Sequence, residues 1–284
     1  MKAFRTWQCR TFRICLASPR VMGIVNVTPD SFSDGGQWFD AGRAVERGLR
    51  LAAEGADILD IGGVSTRPGA GAVEEAEELR RVLPVIQGLA QQTNIPLSID
   101  TFRAAVAREA IGAGACIINS VAPFGGDAVM AAAVRETGAG LVLTHSRESH
   151  HDTHYADVVG KVKAVLTAAL AYAREQGIAE AACVIDPGLG FAKTTAHNVA
   201  LLQKLDCLTP LAPVLIGASR KRFIGELSGE QDPSARLGGS LGVAVWSALH
   251  GASVIRTHDV KETVEALRVV HAIQAIKTQN ETLP

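Results

Sequence analysis

Eight short apolar runs alternate with amphipathic stretches along most of this sequence, and no other feature constrains the fold as strongly. The runs are rich in β-branched residues, and a polar or glycine-rich loop follows each one. They are Val21 to Val27, Asp57 to Ile61, Pro96 to Asp100, Cys116 to Asn119, Gly140 to Thr144, Ala182 to Asp186, Pro213 to Gly217 and Ser253 to Arg256. The helical stretches are Ala41 to Glu54, Val73 to Gln92, Arg103 to Ile111, Asp127 to Thr137, Asp157 to Gln176, Thr194 to Leu205, Ala235 to His250 and Glu262 to Ala275. This alternation predicts parallel strands joined by right-handed crossovers.

Eight such units favour a closed (β/α)8 TIM barrel over an open, doubly wound sheet. The open sheet is the alternative, but its G-x-G-x-x-G loop is missing after the first run, where the polar segment Thr28 to Gly36 stands instead. Aromatic and β-branched residues between Phe4 and Leu16 predict a short N-terminal β-hairpin. We therefore expect a capping hairpin in residues 1–20, a barrel domain in 21–277 and a tail in 278–284.

Charge and hydropathy exclude several classes of function. A formal net charge of −1 argues against a nucleic-acid footprint or a membrane-surface role. No apolar run reaches the roughly 20 residues of a membrane helix, and arginines interrupt the first twenty residues too often for a signal core. The five cysteines are scattered without a C-x-x-C pair, which favours reduced, buried thiols in a cytoplasm over disulfides or a zinc site.

Every apolar run ends in polar residues. In chain order these are Asn26, Asp60, Asp100, Asn119, Thr144 with His145, Asp186, the segment 219–221, and Arg256 with His258. A single Asp or Asn in such a place is most simply a helix cap or turn former. In a parallel barrel, however, the carboxyl ends of all strands meet on the active-site face, so eight polar ends together predict a ligand cup.

The types of these residues indicate the ligand. Acceptors and an amide suited to a flat heterocycle with several N–H donors are supplied by Asp100, Asn119 and Asp186. Cations follow the seventh and eighth runs, where barrels commonly bind phosphate. These are Lys221, Arg256 and His258. We therefore predict a ligand that carries a ring and a phosphate or diphosphate, with carboxylates on one side of the cup and cations on the other.

Two glycine-containing loops, 28–39 and 62–71, are long enough to be lids over a substrate. Phe32 and Arg67 stand out in them among small, polar residues. Two other polar groups have simpler explanations. Four histidines at positions 145, 150, 151 and 154 lie in a polar stretch that predicts a solvated loop rather than a metal site. The acidic run Glu74 to Glu78 opens a predicted helix and offsets the dipole of that helix.

From about Met22 to Ile276 the sequence resembles the dihydropteroate synthases, a family of pterin-binding enzymes. Seven motifs in order carry the resemblance. They are MGIVNVTPDSFSDGG (22–36), DIGGVSTRPG (60–69), SIDT (98–101), IIN (117–119), IDPGLGF (185–191), GASRK (217–221) and RTHDV (256–260). The resemblance implies transfer of a pterinylmethyl group from 6-hydroxymethyl-7,8-dihydropterin diphosphate to 4-aminobenzoate, which releases pyrophosphate. It further implies a place in folate biosynthesis, inhibition by sulfonamides and a cytoplasmic homodimer that pairs through outer-ring helices.

The resemblance also implies roles for individual residues. The pterin would be held by Asp100, Asn119, Asp186 and Lys221. The diphosphate would be held by Asn26, Thr66, Arg67, Arg256 and His258, with Mg²⁺ near Asn26. The aminobenzoate pocket would consist of Phe32, Ser65, Thr66, Pro68 and Lys221. The implied catalytic residues, which stabilise the positive pterinylmethyl carbon or take the departing charge, are Asp100, Lys221, Arg256 and His258.

The sequence departs from the family pattern at Val64, Ser120, Thr144, Ala192 and Arg222. These departures leave two alternatives open. One is a paralogue that binds pterin without turnover, which Ser120 and Thr144 would favour. The other is a methyltransferase of the same fold that uses a methylated folate, although a methyl donor has no need of the phosphate site predicted at Arg67, Arg256 and His258.

Overall fold

A closed barrel of eight parallel strands is the centre of the computed structural model, which describes residues 6–27, 41–64, 73–120, 127–146 and 155–280. A separate antiparallel hairpin of β1 (Thr6–Cys9) and β2 (Phe12–Cys15) precedes it. The barrel strands are β3 (Arg20–Asn26), β4 (Ile58–Gly62), β5 (Leu97–Asp100), β6 (Ile117–Ser120), β7 (Gly140–Thr144), β8 (Cys183–Asp186), β9 (Val214–Gly217) and β10 (Ala252–Thr257). The predicted TIM barrel with its N-terminal hairpin is thus confirmed.

Helices follow the barrel strands and cover the sheet. They are α1 (Ala41–Ala53), α2 (Glu75–Gln92), α3 (Ala104–Ala113), α4 (Ala128–Thr137), α5 (Val158–Glu175), α6 (Thr195–Gln203), α7 (Arg222–Ser228), α8 (Leu237–Leu249) and α9 (Val260–Asn280). We did not predict α7, because seven residues are too few for a helical period to be visible in the sequence. None of the described helices is long and apolar enough to cross a membrane.

Local sequence explains where several helices begin. The side chain of Asp127 accepts a hydrogen bond from the N–H of Met130, and that of Asp157 accepts one from Gly160. Thr194 caps α6 in the same way through the N–H of His197. These caps satisfy N–H groups that have no partner within the helix, so they fix the ends of three loops that leave the barrel.

The strands bury two different faces, and each face has its own apolar core. Outward residues such as Ile61, Ile118 and Ile185 pack against the helices in one cluster. Inward residues form a second cluster inside the barrel. Its strand members are Met22, Ile58, Ile117, Val142, Val184, Leu215 and Val254. Because strand side chains alternate, the next inward position is two residues further along a strand, and on five of these strands that position is polar. The five residues are Asp60, Asn119, Thr144, Asp186 and Arg256.

The hairpin closes the amino-terminal end of the barrel. Trp7 is fully buried in the inner cluster, and its Nε1–H donates to the carbonyl of Ala182, 2.8 Å away, just before β8. A Cβ atom at Gly140 would lie 2.5 Å from the Sγ of Cys9, so the absence of a side chain at the start of β7 lets the hairpin approach. The inner apolar cluster is therefore sealed from below, and the polar residues occupy the opposite end.

The cysteines only partly follow the sequence-based expectation. All five are free, and Cys9, Cys116 and Cys183 are buried, but Cys15 is exposed and Cys207 is half-buried. Burial raises the pKa of the Cys116 thiol to about 12, as it does for Cys183. The three buried cysteines are therefore small apolar core residues without reactive thiolates.

Candidate active site at the carboxyl ends of the strands

Seven of the predicted site residues are described by the structure, and all seven lie at or just beyond the carboxyl ends of barrel strands. They are Asn26, Asp100, Asn119, Asp186, Lys221, Arg256 and His258. The other five lie outside the described residues. They are Phe32, Ser65, Thr66, Arg67 and Pro68.

Arg256 is the centre of a hydrogen-bonded network across the barrel interior. Its Nε donates to Oδ2 of Asp60 at 2.6 Å, and its Nη2 donates to Oδ2 of Asp100 at 2.7 Å. Asn119 Nδ2 donates to the same Asp60 oxygen at 3.1 Å. The expected separation of carboxylates and cations is therefore not what the structure has, because Arg256 pairs directly with two carboxylates.

Asp60 belongs to the site although we assigned it no role from the sequence. Its side chain is fully buried near the end of the second apolar run, and it orients both Arg256 and Asn119. Its Oδ1 has no hydrogen-bond partner among the described residues. The signal in the sequence was its inward position two residues after Ile58, which the alternation of β4 would have revealed.

The network sets the charges of its members. Burial raises the pKa of Asp100; Arg256 opposes that shift, whereas the nearby Asp60 adds to it. Burial lowers the pKa of Arg256, but the carboxylates of Asp60 and Asp100 outweigh it and raise that pKa above its ordinary value. Arg256 is thus a permanent cation, while Asp100 is a carboxylate whose proton affinity a ligand can change.

Lys221 and Asp186 form a second part of the cup. The ammonium of Lys221 donates to the carbonyl of Leu189 and lies 4.6 Å from the centre of the Phe191 ring. Burial lowers the pKa of Lys221 to about 8, while Asp186 acts in the opposite direction. Burial also raises the pKa of Asp186, whose Oδ1 accepts a hydrogen bond from the N–H of Gly188 at 2.7 Å. The pair offers one donor and one acceptor to a polar ring edge.

His258 is fixed by the loop that follows β9. The ring Nδ1 of His258 lies 3.0 Å from Oγ of Ser219, and the backbone N–H of His258 donates to the same oxygen at 3.2 Å. Beside this contact, Arg220 Nε donates to Oδ2 of Asp259 at 3.1 Å. The backbone of Arg220 has a positive φ of 60°. Two adjacent cross-links therefore hold the β9 and β10 loops together and place Lys221 and His258 on one rim.

A buried glutamate supports the site from behind. Glu78 is fully buried, and it accepts hydrogen bonds from Thr101 Oγ1 at 2.7 Å and from Arg103. Arg103 also donates to the carbonyl of Val73 at 2.6 Å. The expectation that the whole acidic run only offsets a helix dipole was incomplete, because Glu78 holds the residue that follows Asp100.

Four of the five departures from the family pattern have a clear structural setting. Ser120 lies two residues after the outward-facing Ile118, so its side chain is on the face of β6 opposite that of Asn119. Thr144 lies two residues after the inward-facing Val142, so it also faces inward, and its buried hydroxyl has no hydrogen-bond partner among the described residues. Ala192 has a positive φ of 44°. Arg222 has an 81% exposed side chain that pairs with Glu226 at 3.2 Å. Nothing in the structure explains Val64.

The fold and this network define a class of protein, a (β/α)8 barrel with a polar ligand cup at the carboxyl ends of its strands. Residues 22–258 match the family described as pterin binding enzymes, and the chain belongs to that family. The dihydropteroate synthase of Mycobacterium leprae is 46% identical over 268 residues, which is 90% of this chain and 94% of the relative. That of Escherichia coli K12 is 43% identical over 267 residues, 92% of this chain and 94% of the relative.

Solved structures give the same result. The dihydropteroate synthase of Xanthomonas albilineans with 4-aminobenzoic acid has a TM-score of 0.91 and 49% identity, covering 95% of this chain and 98% of that one. The enzyme from the same organism in complex with 7,8-dihydropteroate has a TM-score of 0.88 and 47% identity, covering 95% of this chain and 99% of that one.

Proposed function

We propose that this chain catalyses the dihydropteroate synthase reaction, in which 4-aminobenzoate displaces pyrophosphate from 6-hydroxymethyl-7,8-dihydropterin diphosphate. The observation that carries the proposal is the set of buried and half-buried donors and acceptors inside a barrel of this family. Asp100, Asn119, Asp186 and Lys221 lie on four strand ends or loops that face one cup. The relatives with this name match almost the full length of the chain.

The proposed pterin site follows from the polarity of these groups. Carboxylates of Asp100 and Asp186 accept hydrogen bonds from ring N–H donors, and the ammonium of Lys221 donates to a ring oxygen or nitrogen. Burial raises the pKa values of both aspartates and so disfavours their ionised forms. A ligand with several N–H donors stabilises those ionised forms by hydrogen bonding. Binding of the ring thus adds hydrogen bonds to carboxylates that Arg256 and the N–H of Gly188 compensate only in part.

The proposed chemistry needs no covalent nucleophile. As pyrophosphate departs, positive charge develops on the pterinylmethyl carbon, and the carboxylate of Asp100 stabilises it electrostatically. Arg256 and His258, at the end of β10, are the described cations on the side assigned to the diphosphate. Because Arg256 is already paired with Asp60 and Asp100, binding of the diphosphate competes for its guanidinium and leaves Asp100 freer to act on the carbon.

Among the described residues, Mg²⁺ would fit this site as the counter-ion of the diphosphate. The described residues include no group of three His, Cys, Asp or Glu side chains that could hold a metal. Asn26, at the end of β3, supplies one neutral amide oxygen. Mg²⁺ typically binds through substrate phosphates and water with one or two protein ligands, and when bound it neutralises charge on the leaving group.

A turnover assay separates this proposal from its alternatives. Purified protein with both substrates and Mg²⁺ should release pyrophosphate and form dihydropteroate, with a known synthase assayed in parallel. Binding of pterin diphosphate without product would favour the paralogue. Methyl transfer from a methylated folate, with no affinity for pyrophosphate, would favour the methyltransferase.

The residue roles can be separated by two substitutions. Arg256→Ala should mainly weaken binding of the diphosphate, and Asp186→Ala should mainly weaken binding of the pterin ring. Calorimetry with free pyrophosphate and with a pterin lacking the diphosphate measures the two effects independently. Equal affinity of the Arg256 variant and the parent for pyrophosphate would count against the assignment of Arg256.

The assembly and compartment complete the proposal. Exposed apolar side chains on the outer helices, Trp246 and Leu249 on α8 and Val269 and Ile273 on α9, support pairing of two copies into a homodimer. Light scattering tests this directly. Five free cysteines support the cytoplasm as the compartment, since free thiols persist under reducing conditions.

A further inference from the structure

Lys193 lies outside the predicted site, yet its ammonium is buried in a cage of backbone acceptors. The residue is only 5% exposed, and its Nζ lies 2.9 Å from the carbonyl oxygen of Gly188 and 3.1 Å from that of Phe191. It also lies 3.0 Å from Nδ1 of His145 and 3.4 Å from the His145 carbonyl. A buried cation is stable only with such compensation, so these contacts hold the groups around it in place.

The cage joins two loops that approach unusually closely. His145 follows β7, and residues 187–194 form the loop between β8 and α6. A Cβ atom at Gly188 would lie 2.0 Å from the His145 carbonyl oxygen, so only glycine permits this approach. The carbonyl oxygens of His145 and Gly188 both accept from the Lys193 ammonium, which links the two loops at this point.

The same loop contains a residue in an unfavourable conformation. Ala192, immediately before Lys193, has a φ of 44°, in the left-handed region that favours glycine. Such a conformation persists only where surrounding contacts enforce it. The contacts of Lys193 with Gly188 and Phe191 enforce the conformation of Ala192 here, since they close the short loop that contains it.

Lys221 lies against the segment that Lys193 holds. Lys221 donates to the carbonyl of Leu189, and its ammonium lies 4.6 Å from the Phe191 ring centre. Its Cδ would be 3.0 Å from a Cβ atom at Gly190. Residues 188–191 therefore form a wall against which Lys221 lies. Lys193 contacts the two ends of this wall, at Gly188 and at Phe191.

We infer that Lys193 is a positioning residue for the pterin site, which holds the 188–191 wall against the end of β7 and thereby places the ammonium of Lys221. It has no direct contact with substrate in this assignment. The inference rests on the proposed function, because it assigns Lys221 to the pterin ring. It predicts an effect on binding of the ring and none on binding of the diphosphate, whose described residues Arg256 and His258 lie at the end of β10 and just beyond it.

The test compares Lys193→Met and Lys193→Gln with the parent by calorimetry. Methionine keeps much of the apolar stem and removes all three donors, whereas glutamine keeps two uncharged donors. We expect Lys193→Met to weaken binding of the pterin diphosphate about tenfold, the scale of one charge-assisted contact. Lys193→Gln should fall between Lys193→Met and the parent, and binding of inorganic pyrophosphate should be unchanged in both variants.

Lys163→Met on the exposed face of α5 is the matched control, and it should bind both ligands like the parent. A fall in thermal midpoint with unchanged pterin affinity would make Lys193 merely structural and overturn the inference. An equal loss of pterin diphosphate and pyrophosphate binding would also overturn it. Failure of the parent to bind pterin diphosphate would instead refute the proposed function.

Discussion

Arg256 Nε lies 2.6 Å from Oδ2 of Asp60, a contact between residues 196 positions apart in the chain. Asp60 is fully buried on β4, whereas the Arg256 side chain on β10 retains 20% exposure. The two strands flank β3, so the ion pair crosses the seam at which the first and last barrel strands meet. Arg256 thus compensates a buried carboxylate as well as serving the proposed diphosphate site.

Loss of Arg256 should therefore cost stability. Arg256→Met is expected to lower the free energy of unfolding by about 3 kcal/mol, because Asp60 remains buried without its cation. Adding Asp60→Asn should recover most of this loss. Urea denaturation measures both. The control is Arg80→Met, which removes an exposed, solvent-screened pair with Glu77 and should leave stability nearly unchanged; an equally small effect of Arg256→Met would contradict the assignment.

The lowered pKa of Lys221 predicts how ligand affinity depends on pH. With a pKa of about 8 in the free protein, Lys221 is a cationic donor below that pH and a neutral amine above it. The contribution of Lys221 to affinity for a pterin ring should accordingly be complete well below pH 8 and decline as the pH rises further, approaching tenfold per unit. Protonation of Asp100, whose pKa burial raises, should weaken binding separately at the acid end. Calorimetry across pH 6.5–9.5 is the measurement, with ~0.5-unit steps. Lys221→Met should bind weakly at every pH, and persistence of the alkaline limb in that variant would assign it to another group.

The positive φ of Ala192 predicts a stabilising substitution. Ala192→Gly should raise the free energy of unfolding by about 0.5–1 kcal/mol, since relief of the left-handed strain exceeds the extra entropy of glycine in the unfolded chain. Ala168→Gly on the exposed face of α5 is the opposite control and should cost about 1 kcal/mol. Chemical denaturation compares the two, and destabilisation by both would show that Ala192 is unstrained.

Two tryptophans provide a matched pair for the role of the hairpin. Trp7 and Trp246 each donate to a backbone carbonyl, but Trp7 is fully buried and Trp246 is 43% exposed. Trp7→Ala should lower the free energy of unfolding by about 3–5 kcal/mol, because it opens a cavity beneath the barrel. Trp246→Ala should cost much less. Similar losses in the two variants would mean that the hairpin does not close the inner core.

Sequence periodicity was sufficient for the barrel. The run Gly140 to Thr144 has the bounds of β7, and the other seven runs agree with their strands to within one residue at each end. Such runs are visible because strands buried on both faces leave no polar interruption. Seven residues of α7 carried no comparable signal, and that helix was missed.

The partners within the site were less predictable. Polar strand ends placed Asp100, Asn119 and Arg256 on one face, yet which cation pairs with which carboxylate depends on the register between distant strands. Asp60 and Lys193 show the limit: each is buried by contacts with residues far away in sequence or on another loop, and although Asp60 opens the motif at 60–69, that motif does not reveal its partner.

The pairing of β10 with β3 also determines when the site can exist. Val254 aligns with Arg20 across this seam, so the barrel cannot close until the final strand has been made. A ribosome-bound chain that ends before residue 252 lacks both Arg256 and the second partner of β3, and it presents two open sheet edges, β3 and β9, that are prone to aggregate. Premature termination shortly before this strand should abolish activity entirely rather than weaken it, and nascent chains of that length are expected to depend on chaperones.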